Sequence, residues 1–247
     1  MQTHWKGKKV AFLGDSITDP AAIPSVKKYW KFLEESLGIK PFVYGINGAN
    51  WSGILGQAMK LQSTQGDDID AIFIFAGTND YNGSTPLGEW FSISLDETND
   101  HGRLTIKPHR QPIKDNNTFR GRINAAMAFI KENFPHQQVV LMTPIHRAFA
   151  QYSDTNVQPE EAFPNQLGLY VQSYIDVLRE AADLWSTPLI DLFRASGLHP
   201  LSTSHGQFFN NPQTDLLHPS TIGHARIARV MLHQMIAIPS DFKDLIP

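Results

Sequence analysis

Three short runs of uninterrupted apolar residues constrain the fold more than anything else in the chain. They are Val10 to Leu13 (VAFL), Ala71 to Ala76 (AIFIFA) and Val139 to Met142 (VVLM). A strand with one wet face alternates apolar and polar residues. Runs that do not alternate are buried on both faces, as in a parallel sheet. Phe42 to Ile46 and Pro188 to Leu192 read as two further, weaker strands. Between them apolar residues recur at three and four, which predicts helices over Pro24 to Leu37, Ser52 to Gln62, Phe119 to Asn133, Leu167 to Trp185 and Thr221 to Ile236. Ser220, following Pro219, is placed as the N-cap of the last helix. Strands alternating with helices predict an α/β fold with a mainly parallel five-stranded sheet covered on both sides. The 247 residues suffice for one domain over 1–247.

Two segments interrupt this rhythm, at about 81–118 and 146–165, after the third and fourth strands. In the first, Trp90 to Leu95 and Arg103 to Lys107 read as a β-hairpin around ETNDHG. Its length and apolar content suggest a surface for a neighbouring subunit. Both segments leave the carboxyl ends of strands, the edge where open α/β sheets bind ligands, and loops this long are uncommon without a binding role.

Composition removes several classes of function. There is no cysteine, so disulfides, thiolate metal sites and cysteine nucleophiles are excluded. Twenty-one basic against 24 acidic residues give a formal charge of −3 with no basic block, which argues against nucleic acid. No apolar run is long enough to span a bilayer. The polar N-terminus, MQTHWKGKK, carries no signal-peptide core. A cytoplasmic location is the default expectation, and a chain trimmed of a leader would read the same.

Four polar clusters follow the strands or precede the last helix: Gly14-Asp15-Ser16, Gly45-Ile46-Asn47-Gly48-Ala49-Asn50, Gly77-Thr78-Asn79-Asp80 and Asp215-Leu216-Leu217-His218-Pro219. A serine hydroxyl at the end of a central strand is a candidate nucleophile. It needs an imidazole whose other nitrogen keeps its proton and whose ring is held still. Asp215, three residues before His218, can hold Nδ1 and leave Nε2 toward Ser16, and an imidazole titrates in the right range for a base at neutral pH. The N–H of Gly48, the amide of Asn79 and the N–H of Ser16 are candidate oxyanion donors, each worth roughly 3 kcal/mol in a transition state. Asp15, Asp19 and Asp80 suit structural roles as acceptors for nearby loops.

This set, over nearly the whole chain and in the same order, resembles the SGNH hydrolases, also called the GDSL esterase/lipase family. The blocks that carry the resemblance are Gly14-Asp15-Ser16-Ile17-Thr18-Asp19, the glycine placed at Gly48, Gly77-Thr78-Asn79-Asp80 (commonly GxND) and Asp215-Leu216-Leu217-His218-Pro219 (commonly DxxHP). The resemblance implies a flavodoxin-like three-layer α/β/α sandwich, with Ser16 as nucleophile, His218 as base, Asp215 as its partner, and Ser16, Gly48 and Asn79 as the oxyanion hole. Gly53 and Gly45 compete for the place of Gly48. Two features depart from compact members: isoleucine follows the serine where leucine often stands, and the insertion after Asn79 is long.

No cofactor is expected. The GxGxxG, GxxxxGK[ST] and GxSxG patterns are absent, and no metal-ligand spacing such as HExxH occurs. Asp15, Asp215, His218 and His224 could be imagined around a metal ion, but the triad accounts for the first three with less. His224 then reads as a packing or surface residue. The expected reaction is two-step acyl transfer to water from a small-molecule or carbohydrate ester. Short acyl groups, acetyl first, are favoured because no broad apolar lid is evident. A lipase, a thioesterase, an acyltransferase on the same triad, and a silent carbohydrate-binding module remain the alternatives. Trp51, Tyr81, His146 and Phe208 are the candidate substrate-lining residues. The aromatics of the insertions, Tyr152 among them, fit either a sugar site or a small core beneath the loops.

Overall fold

A computed structural model describes residues 3–243; Met1, Gln2 and the last four residues of the expected 1–247 domain lie outside the described residues. The chain begins with strand β1 (Lys9–Gly14), helix α1 (Tyr29–Leu37), β2 (Lys40–Val43), α2 (Trp51–Gln65), β3 (Ala71–Phe75) and the short α3 (Thr78–Asn82). A ribbon follows, of β4 (Phe91–Asp100) and β5 (Arg103–Pro112), then α4 (Phe119–Asn133) and β6 (Gln138–Met142). After β7 (Ala150–Gln151) and β8 (Val157–Gln158) come α5 (Val171–Leu184), β9 (Leu189–Ile190) and α6 (Leu192–Ala195). The last elements are β10 (Phe209–Asn211), β11 (Asp215–Pro219) and α7 (Thr221–Met235), whose N-cap is Ser220.

The five-stranded sheet has the order β2-β1-β3-β6-β9, and every pairing in it is parallel. In sheet order this is second, first, third, fourth, fifth, the doubly wound flavodoxin-like arrangement. The chain leaves β1 toward β2 and then returns to β3 on the other side. The carboxyl ends of β1 and β3 therefore flank a crevice at the reversal, where such sheets bind ligands. Alternate residues of the buried strands feed two cores. Ala11, Leu13, Ile72 and Ile74 pack under α2, α4 and α5, whereas Val10, Phe12, Phe73 and Phe75 pack under α1 and α7. Both faces are covered, which is why these strands read as unbroken apolar runs.

Several expected boundaries move, each for a physical reason. The helix expected from Pro24 begins only at Tyr29, because Lys28, Tyr29 and Trp30 must reach back to the loop after β1: Lys28 Nζ donates to the Ser16 carbonyl (3.1 Å), the Tyr29 hydroxyl pairs with Thr18 Oγ1 (3.0 Å) and Trp30 Nε1 donates to the Thr18 carbonyl (3.0 Å). The helix expected from Leu167 begins at Val171, because Asn165 Oδ1 accepts from the Leu167 and Leu169 amides and holds that stretch as a turn. The expected strand at Pro188 to Leu192 shortens to two residues, and Asp191 caps the helix that follows. The second strand ends at Val43, although the amides of Tyr44 and Ile46 still bond to β1.

The hairpin is longer than expected. Its strands run into Glu97–Asp100, placed in the sequence reading within the turn, and the reversal needs only His101 and Gly102. Both have positive φ (51° and 81°), the two-residue geometry that matches strand twist. The 146–165 segment, expected as a loop, contributes β7 and β8 to a small antiparallel sheet of order β10-β11-β7-β8. That sheet ties the loop to β11, the strand that carries Asp215 and His218.

Candidate active site

The loop after β1 is held open at the sheet edge. A side chain on Gly14 would meet Thr18 Oγ1 at 2.5 Å and the Phe75 carbonyl at 2.6 Å, so only glycine lets β1 and β3 close at this point. Buried Gln57 clamps the same residue, accepting from its N–H and donating to its carbonyl at 2.8 Å each. Ser16 follows, with Asp15 Oδ1 accepting from the Ile17 amide (3.0 Å). Asp15 is buried, and burial pushes its carboxyl up to about 6, against the pull of the Ile17 amide, His218 and Lys28. Burial likewise pulls Lys28 down to about 8, with Asp19, Asp15 and Asp215 opposing it, so it stays largely charged at neutral pH beneath the serine.

Ser16 Oγ lies 2.8 Å from His218 Nε2. His218 Nδ1 lies 3.1 and 3.0 Å from the two oxygens of Asp215. The pair sits on strand β11, and the three-residue spacing brings the carboxylate to its own histidine: the amides of Leu217 and His218 both donate to Asp215 Oδ1 (3.3 and 3.0 Å). Asn210 Nδ2 donates to Oδ2 (2.9 Å). Burial raises the carboxyl of Asp215, but the ring and backbone of His218 and the Asn210 amide together outweigh it, and it lies below its ordinary value. Tyr152 completes the cluster from the β7–β8 loop. Its hydroxyl donates to Asp215 Oδ1 (3.2 Å) and lies 3.0 Å from His218 Nδ1. An imidazole held in this way can take a proton from the serine and return it to a leaving group.

The second and third clusters face the same crevice. Gly48 has φ +76°, a conformation glycine adopts without strain, and it lines the cavity together with Ser16, Asn79 and His218. Asn79 Nδ2 gives one hydrogen to the Ala49 carbonyl (2.9 Å) and keeps a second. Gly53 lies within α2 and Gly45 packs against Thr18 and Asp19; neither lines the cavity. Two carboxylates stitch the loops together. Asp19 accepts from the Ala21 and Asn47 amides (2.8 Å each), and Asp80 accepts from the Trp51 amide and from Arg122 (2.9 Å each). Burial lifts Asp80 to about 6, opposed by Arg122 and the Trp51 amide, which leaves it ionised at neutral pH.

The four candidate substrate-lining residues lie elsewhere. Trp51 is fully buried in the first core, where the start of α2 must pack on β3. Tyr81 is buried, its ring beside Tyr174 and Arg147 and its hydroxyl bonded to the Phe163 carbonyl. His146 pairs with Glu161 and stacks on Phe193. Phe208 packs against the second core under Arg226. The cavity wall is instead made by Ala22, Ile23, Asn47, Tyr152, Asn156, Gln158, Asn210 and Leu217, and its volume is about 420 Å³. Nothing in the sequence around Gln57, Lys28 and Asn210 marks them as part of the site, and nothing local to Tyr152, one of the loop aromatics, marks its contact with the histidine. His224 is a packing residue: its Nδ1 accepts from the Tyr29 amide (3.3 Å), its ring stacks on Tyr29, and burial drives it well below the ordinary histidine range. Among the described residues, no three His, Asp or Glu side chains are arranged to hold a metal ion, and no helix is long and apolar enough to cross a membrane.

A serine, a histidine and an aspartate thus stand in hydrogen-bond sequence at the carboxyl edge of a doubly wound parallel sheet. The sequence profile of the GDSL-like lipase/acylhydrolase family matches residues 12–226, and the chain belongs to that family, whose chemistry is the hydrolysis of ester bonds. A protein from Lactobacillus plantarum is similar at 23% identity, over 94% of this chain and 98% of its own, with a TM-score of 0.71. A member of the lipolytic G-D-S-L family from Veillonella parvula is similar at 16% identity, over 94% and 100%, with a TM-score of 0.61. An acetylxylan esterase from Geobacillus stearothermophilus, solved as a catalytic mutant, is similar at 15% identity, over 95% and 96%, with a TM-score of 0.52. No curated protein sequence matches the chain.

Proposed function

We propose that the protein is a serine esterase that removes short acyl groups, acetyl foremost, from a neutral, hydroxyl-rich alcohol such as a carbohydrate. His218 Nε2 takes the proton of Ser16 as Oγ attacks the ester carbonyl. The N–H groups of Ser16 and Gly48 and the second hydrogen of Asn79 Nδ2 receive the negative charge on the carbonyl oxygen. His218 then protonates the departing alkoxide. Water, deprotonated by the same nitrogen, cleaves the acyl-enzyme. Asp215 keeps the ring proton on Nδ1 throughout.

The cavity wall is the observation that carries the substrate class. Around the Ser16–His218 pair stand Asn47, Asn79, Asn156, Gln158 and Asn210 with the Tyr152 hydroxyl, while Ala22, Ile23 and Leu217 are the apolar contributors. Side-chain amides both donate and accept, which suits sugar hydroxyls. Asp215 and His218 are the acidic and basic residues of the wall, and they are occupied with each other. A long acyl chain gains about 0.8 kcal/mol for each methylene it buries in an apolar groove, and Ala22, Ile23 and Leu217, interspersed among the amides, give the wall aliphatic surface for a short acyl group. The fold-level likeness to an acetylxylan esterase is consistent with this reading.

The test is hydrolysis of p-nitrophenyl esters from acetyl to octanoyl, alongside acetate release from acetylated sugars, with Ser16→Ala as the blank. Rates that peak at acetyl, acetate release from the sugars and an inactive, folded S16A are expected. Octanoyl turnover exceeding acetyl with no acetate released from sugars would overturn the substrate class, and wild-type activity in S16A would overturn the mechanism.

A further inference from the structure

The β4–β5 ribbon carries one polar and one apolar face. Ser92, Ser94, Asp96, Thr98 and Asp100 alternate on one side opposite Gln111, His109, Lys107, Thr105 and Arg103, and this face satisfies itself through the Asp96–His109 and Asp100–Lys107 pairs. The other face carries Ile93, Leu95, Leu104 and Ile106, which are 70%, 72%, 70% and 71% exposed. Ten residues per strand give a ribbon on the order of 30 Å long, and an isolated two-stranded ribbon is marginal in water unless something covers it. Its base is firmly set, with Asn124 Nδ2 donating to the carbonyls of both Trp90 and Ile113 (2.9 Å each). The exposed apolar stripe is therefore presented in a fixed direction.

We propose that this face is the interface of a two-fold homodimer, in which two ribbons stack antiparallel, face to face, about the Leu95–Pro108 rung. Charge and area both point to a second copy of this chain. The charged residues of the apolar face are Glu97, opposite Ile106, and Arg110, opposite Ile93; they lie two residues to either side of the central rung. A two-fold axis through that rung, perpendicular to the strands, brings Glu97 of one copy level with Arg110 of the other, and does so twice. Parallel stacking would bring no such pair together. The four aliphatic side chains expose on the order of 500 Å² per copy, at the upper end of apolar patches on monomers. Two copies with the flanking Phe91, Pro108 and Arg110 stems reach about 1,000 Å², the lower bound for a specific interface. Pro108 and Pro112 lack N–H groups and blunt the β5 edge, which favours stacking on the face over addition of a strand at that edge.

The test is sedimentation equilibrium of the full chain at about 1 to 100 µM, for wild type, Glu97→Arg, Arg110→Glu and the double charge swap, with circular dichroism melts to check that each folds. Expected are a reversible wild-type dimer of twice the 27.7 kDa chain, association weakened at least ~10-fold in each single variant, where like charges now meet twice, and recovery in the double swap. A wild-type monomer throughout the range would overturn the proposal. So would single variants that associate like wild type, or a double swap as weak as its parents.

Discussion

Asp15 stands directly before the serine, is 2% exposed and has its carboxyl pushed to about 6 by burial. Its replacement by asparagine gives a sharp test of the electrostatics under the site. In the unfolded chain the group releases its proton near 3.8, but in the folded protein it holds it up to about 6. Between those values the folded state binds a proton that the unfolded state has lost, so stability from this residue is present below pH 3.8 and is lost as pH rises through 6. The interval corresponds to ~3 kcal/mol at 1.36 kcal/mol per pH unit. The asparagine keeps an acceptor for the Ile17 amide and does not titrate. Any pH-independent cost of the substitution cancels in the slope. Urea unfolding of wild type and Asp15→Asn from about pH 3.5 to 7 should show wild type losing stability relative to the variant by about 3 kcal/mol across that range. A difference that stays flat, or that moves in favour of wild type as pH rises, would refute the burial argument.

Three further outcomes follow from the same geometry. Asp215→Asn turns an amide N–H toward His218 Nδ1, forces the ring proton onto Nε2 opposite Ser16, and should lower kcat on p-nitrophenyl acetate by about 10⁴; a loss under tenfold would show that the aspartate does not set the tautomer. Tyr152→Phe removes one donor from Asp215 while the ring stays in place, so kcat/KM should fall about tenfold, the worth of one hydrogen bond to a charged group at ~1.5 kcal/mol, and an unchanged value would make the contact incidental. Lys28→Met removes a buried cation whose folded value is about 8 against 10.5 unfolded. Wild type should therefore gain stability relative to this variant as pH rises from 8 to 10.5, because only the unfolded lysine still carries its proton there; urea melts in which the difference falls over that range would contradict it.

The antiparallel ribbon and the loop that reaches the triad show where reading the chain alone stops. The existence of a hairpin around ETNDHG is legible in the sequence, but its length depends on His101 and Gly102 both adopting positive φ, and only Gly102 advertises that. The four aromatic or histidine side chains proposed to line the substrate were chosen by type and loop position. Trp51 and Tyr81 are of the right type, but the packing of α2 and α5 on the sheet takes them inside. The polar part of the cavity wall is made largely of side-chain amides, Asn47, Asn156, Gln158 and Asn210 among them, a residue class common in any loop, so nothing in their local sequence sets them apart.

The order of amino acids is enough to dictate the sheet, because unbroken apolar runs admit few environments other than a doubly covered parallel sheet. It also dictates which groups meet at the site. Gly14 and Ser16 sit at the end of β1, Asn79 at the start of α3, Asp215 and His218 on β11 and Gly48 in the β2–α2 loop, and the succession of strands and helices carries them to one edge. What surrounds them comes from tertiary packing. Lys28 delays a helix to reach the Ser16 carbonyl, Gln57 clamps Gly14 from 43 residues away, and Tyr152 reaches Asp215 from 63. Such contacts join side chains far apart in sequence, and they exist only once the two cores have fixed the distances between the loops.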